Sequence, residues 1–151
     1  MASEKMAISR KQISSEVPMV TSEITDNCIY TGLFGTLDSA RMNLIGNKIT
    51  SLCEEKEINV AIIDLANVDA IDTAVAGYLN NLVNTLKFVG VESIVCGISS
   101  NLANTMVAAG VTLDTAKITR NLKDALKISF NLTGYQLTKL TEQQQQQPRK
   151  V

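Results

Sequence analysis

The chain is 151 residues long, 45% hydrophobic and 19% charged with a net charge of −1, which describes one globular domain around a single core. Only 4% of residues are aromatic and the balance is slightly acidic, so neither a base-stacking platform nor an electropositive face for nucleic acid is expected. No histidine occurs, which excludes Ser-His-Asp and Cys-His catalysis and His-based zinc sites together.

Residues 1–16 are polar and mixed in charge and read as a flexible arm. They contain no apolar segment of signal-peptide length, and nothing in the sequence reaches the roughly 18 apolar residues of a membrane span, so a cytoplasmic protein is expected. Residues 17–24 and 28–34 flank Thr25-Asp26-Asn27, whose Asp-Asn pair is turn chemistry, and predict a β-hairpin. Gly35 ends the second strand. Thr36 or Asp38 then caps a helix over 39–55, with Leu44, Ile45, Ile49 and Leu52 on its apolar side.

The apolar run 59–65 suits a central strand buried on both faces, followed by a loop over 66–72. From Thr73 to Phe88 the residues Ala76, Leu79, Leu82, Val83 and Leu86 recur at helical spacing while Asn80, Asn81, Asn84 and Lys87 face away; Gly90 ends that helix. A strand over 93–96, a helix over 102–109, a strand over 116–118 and a helix over 122–130 complete an alternation that predicts an α/β fold, a mixed sheet covered by helices. No internal repeat is apparent. The ordered domain is expected to span 17–131, and residues 132–151, with the run Gln143 to Gln147, to form a disordered Gln-rich tail.

Three strand-to-helix junctions hold the polar residues that chemistry would use. The first is Val68-Asp69-Ala70-Ile71-Asp72-Thr73, where Asp72 is an N-cap and Thr73 is either a passive first-turn residue or a hydroxyl displayed for phosphorylation. In the second, Gly35-Thr36-Leu37-Asp38-Ser39-Ala40-Arg41, Asp38 or Ser39 caps the helix and Ser39 is the alternative acceptor. The third, Cys96-Gly97-Ile98-Ser99-Ser100-Asn101, reads as a glycine turn and cap, with a weak anion or nucleotide site over its amides as the sharper reading. No phosphate-binding glycine motif supports a nucleotide, and the pairs Glu54-Glu55 and Asp64 with Asp69 read as surface charge and loop chemistry. Cys28, Cys53 and Cys96, far apart and among apolar neighbours, read as buried reduced thiols. Neither a metal nor a cofactor is expected.

Val60-Ala-Ile-Ile-Asp-Leu65, Val68-Asp-Ala-Ile-Asp-Thr73, Leu86-Lys-Phe-Val-Gly90 and the passage from Gly97-Ile98 to Ala108-Ala-Gly-Val111 together resemble the STAS domain of sulfate transporters and anti-sigma-factor antagonists. Within that family the chain is most similar to the bacterial stressosome proteins. The resemblance implies a mixed sheet with helices packed mainly on one face and a non-enzymatic, phosphorylation-controlled role. It implies assembly with homologous STAS scaffold subunits into a large homo- or hetero-oligomer that sequesters and releases a switch serine/threonine kinase. Thr73 matches the family's phosphorylated position and Ser39 a second acceptor of the scaffold type, with Asp69, Asp72 and Asp38 as switch-loop and kinase-docking carboxylates. Both sites lean towards the scaffold, whereas the length leans towards the stand-alone antagonist. A ligand- or nucleotide-binding regulatory module is the alternative from a different class.

Overall fold

Strand β1 (Met19–Thr25) and strand β2 (Cys28–Thr36) form the expected antiparallel hairpin, with Thr25 opposite Cys28 across the Asp26-Asn27 turn. The computed structural model describes residues 17–146, so the expected arm and the last residues of the expected tail lie outside the described residues. Helix α1 (Ser39–Glu55) leads to β3 (Val60–Ala70), α2 (Thr73–Phe88) to β4 (Glu92–Cys96), α3 (Ser100–Ala108) to β5 (Ala116–Ile118), and α4 (Leu122–Leu132) follows. The sheet order is β1-β2-β3-β4-β5, antiparallel only at the hairpin and parallel thereafter.

That sequential order decides where the helices go. Each of the three crossovers advances in the same direction across the sheet, and parallel crossovers share one handedness, so α1, α2 and α3 fall on the same face. Their buried residues, including Ile45, Ile49, Leu82, Val83, Leu86 and Leu102, form one core with Ala61, Ile63 and Leu65 of β3. Each fully buried isoleucine there contributes about 2 kcal/mol. The alternate residues Val60 and Ile62 point to the opposite face, where α4 covers them through Ala125, Leu122 and Leu126. The expectation of a mixed sheet with helices mainly on one face is met.

Three local expectations are corrected. Strand β3 runs on to Ala70, so the stretch 66–72 expected as a loop is strand for five residues and turn only at Ile71 and Asp72. Leu44 is 43% exposed, and the buried stripe of α1 is Met42, Ile45, Ile49 and Cys53, whose spacings of three and four keep one face. Asn84 does not face away: it is half-buried and its Oδ1 accepts from Thr115 Oγ1 at 2.7 Å, fastening α2 to the approach of β5. Beyond α4 the chain through residue 146 buries no residue; its single helical turn, α5 (Glu142–Gln145), is capped by Thr141.

Candidate functional site

Strands β2 and β3 are parallel neighbours, and their ends are level: Gly35 pairs with Val68 and Thr36 with Ala70. Each strand is followed by two residues and then a helix, Leu37-Asp38 before Ser39 and Ile71-Asp72 before Thr73. The two junctions are the same structure built twice. Leu37 and Ile71 turn inward, Leu37 as part of the core and Ile71 packed against it. Asp38 and Asp72 are extended N-caps, accepting from the backbone N–H of Arg41 and Val75 respectively, each at 2.8 Å. Ser39 and Thr73 are the first residues of their helices, Ser39 half-buried and Thr73 exposed. The Leu37 N–H donates to the Ala70 carbonyl, which binds one junction to the other.

The local pattern Leu-Asp-Ser-Ala at 37–40 recurs as Ile-Asp-Thr-Ala at 71–74, a likeness of four residues that is too short to stand out as an internal repeat. Sequence reading gave no role to Arg41, whose guanidinium Nη1 donates to the Thr36 carbonyl at 2.8 Å and sets a cation between the strand end and the first turn of α1. Thr73, Asp72, Ser39 and Asp38 therefore share one pole of the molecule. Asp69 does not join them as a loop residue. It is exposed on β3, and because Val68 enters the core, Asp69 points to the opposite sheet face. Removing either cap, Asp38→Ala or Asp72→Ala, is expected to cost about 1 kcal/mol in urea unfolding, whereas Asp69→Ala should stay within about 0.5 kcal/mol.

A second polar cluster lies under this pole. Asp64, read from sequence as surface charge, is only 7% exposed. Its carboxylate accepts from Tyr30 Oη at 2.8 Å and from the Ala66 N–H at 3.0 Å. Burial, then the hydrogen bond to Asp64 and its charge, push the Tyr30 phenol up to about 12. Burial and the same carboxylate push the Cys96 thiol up to about 12, and burial alone pushes Cys53 to about 11. Cys28 is also raised by burial, against a smaller opposing hydrogen bond with Ser129. The three cysteines are buried free thiols, as expected. At the third junction the expected cap is formed: Ser99 Oγ accepts from the Leu102 N–H at 3.2 Å.

The family model of the STAS domain matches residues 19–125. The chain belongs to the STAS family. Among curated STAS relatives it is similar to the RsbT co-antagonist protein RsbRC of Bacillus subtilis (strain 168), at 38% identity over 61 residues, 40% of this chain. The chain spans 22% of the length of that relative. Among solved structures a variant of Moorella thermoacetica RsbS superposes with a TM-score of 0.65 at 20% identity, over 80% of this chain and 99% of that one. The unphosphorylated anti-sigma factor antagonist SpoIIAA gives 0.61 at 16%, over 77% and 96%, and a stressosome chain 0.60 at 16%, over 76% and 98%. These structural likenesses establish the STAS fold.

Proposed function

We propose that the chain is a phosphorylation-controlled, non-enzymatic STAS subunit of a cytoplasmic stressosome-like assembly, in which homologous STAS subunits hold a switch serine/threonine kinase and release it on modification. The observation that carries this reading is the doubled junction, with Thr73 and Ser39 each following an Asp cap at one pole. Asp72 caps α2 from an extended backbone, with φ −98° and ψ 179°, and Thr73 beside it is exposed, which leaves its hydroxyl open to a kinase. The Thr73 hydroxyl oxygen attacks the γ-phosphoryl group of kinase-bound ATP, its proton passes to the kinase base, and ADP leaves.

Phosphate at this position gains from the positive end of α2, yet it sets up to about two negative charges beside Asp72. The two effects offset each other in the fold, while the docking face gains charge and sheds a partner selected for the unmodified surface. Ser39, half-buried, is the slower acceptor. The relative RsbRC is described as a co-antagonist of RsbT, which supports a role in antagonist signalling.

The test is incubation of the chain with its switch kinase and ATP, followed by mass spectrometry of intact protein and peptides. One phosphate on the Thr73 peptide is expected, lost in Thr73→Ala, together with a slower one on Ser39. Undiminished modification of Thr73→Ala removes Thr73 from the switch, and an unchanged phosphopeptide map in Ser39→Ala removes Ser39. Light scattering on the chain mixed with homologous STAS subunits should show a megadalton-class particle that binds unmodified kinase and loses it once Thr73 carries phosphate.

A further inference from the structure

Helices α1 and α2 follow parallel strands and so point the same way, beginning at the switch pole and ending at the opposite one. At that far end lies a cleft of about 400 Å³, within the size range of small-molecule sites. Its walls include Ile58, Val89 and Val91, and its polar lining includes Cys53, Glu54 and Glu57.

The charged residues that line the cleft, Glu54 and Glu57, are both acidic. The last carbonyls of both helices give the cleft two negative dipole ends. Helix α1 has no basic residue in its last turn. Two cations stand at the helix ends, Lys56 as the α1 C-cap and Lys87 in the last turn of α2, and each is paired with another carboxylate: Lys56 with Glu23 of β1, and Lys87 with Glu92 at 2.7 Å. Among the described residues Glu54 and Glu57 make no ion pair.

Two further features mark the cleft as more than an acidic surface. Cys53, 3% exposed, lines it with a buried free thiol. Glu57 holds the left-handed position after the α1 C-cap, φ 53°, where glycine is the usual residue, so a carboxylate is kept at the rim against backbone preference. A metal ion does not fit, because among the described residues no three acidic or thiol ligands converge.

We propose that this cleft binds a small organic cation, an amine or guanidine carried on an apolar body. The cationic head sits between Glu54, Glu57 and the two helix ends, and the body lies on Ile58, Val89 and Val91.

The probe is benzylammonium, titrated into the full chain and followed by amide chemical shifts in NMR, with benzyl alcohol and benzoate as controls of nearly the same shape. Saturable shifts at Thr50, Cys53, Gly90 and Val91 are expected, at least tenfold weaker for the alcohol and absent for benzoate. Glu54→Gln should weaken binding severalfold. Glu57→Gly should weaken it at least as much while raising the thermal midpoint, because glycine relieves the left-handed backbone; a more stable protein that binds less well separates site from fold. The proposal is overturned by absence of saturable shifts at those four amides, by equal affinity for the alcohol, or by undiminished binding in both variants. Binding of a lysine-bearing peptide with none of benzylammonium overturns it too, since the cleft then belongs to a protein partner.

Discussion

Gly97→Ala is expected to lower stability by about 3 kcal/mol, because backbone strain and a collision coincide at one residue. Gly97 has φ +75°, a region that alanine enters at a cost of roughly 1–2 kcal/mol. A methyl group there would also stand 2.7 Å from the Ala66 backbone nitrogen and 2.7 Å from Asp64 Oδ1. Neither neighbour can yield cheaply, since they are hydrogen-bonded to each other within β3. Gly110 supplies the control: its φ is +70°, but an added methyl meets nothing within 4 Å. Gly110→Ala should therefore cost only about 1–2 kcal/mol, and the difference in urea midpoint between the two variants measures the collision alone.

The second large effect is expected at Tyr30. Removing its hydroxyl in Tyr30→Phe takes a hydrogen bond from the buried Asp64 carboxylate, and bonds to charged groups are worth about 1.5–3 kcal/mol, so a loss of about 2 kcal/mol at neutral pH should follow. The same variant changes the alkaline response. Tyr30 rises to about 12 from an ordinary 10.0, Cys96 to about 12 and Cys53 to about 11 from 9.0. All three are acids whose neutral form the fold favours. In the unfolded chain they lose protons first, so their contribution is complete below about pH 9 and is lost as pH rises towards 12. Chemical unfolding across that window should show stability falling steadily, and Tyr30→Phe should flatten the part above pH 10.

Much of the architecture was legible because helices α1 to α4 each announce themselves twice, by an apolar stripe and by an Asp, Ser or Asn cap. The second half of β3 was not. Ala66, Asn67, Asp69 and Ala70 are exposed, because β4 ends at Cys96, opposite Asp64, and leaves the rest of β3 paired with β2 alone. A strand with one neighbour and a wet face carries no apolar run to read, and the register shifts near Phe34 and Thr36 break its alternation further. Asp64 was misread for a related reason: a carboxylate inside an apolar strand shows its burial only when Tyr30 on the next strand is known to face it. Thr73 and Ser39 were named singly. That they lie level, each three residues beyond the end of its own strand, follows from the β2–β3 register, which no local window contains.

Under the proposed function, with both Thr73 and Ser39 as acceptors, the levelness of the two junctions would also set an order of events. Packed helices stand about 8–10 Å apart, so phosphates on their first residues would face each other at close to one screening length in physiological salt. The first group repels the second by about 1 kcal/mol in water at that separation, and dissolved ions reduce this. Occupancy of one acceptor would thus brake the other, and doubling the mark would take a stronger stimulus than placing it. A pair of hydroxyls at the starts of neighbouring helices would in this way count successive doses, with ionic strength adjusting the gap between the first count and the second.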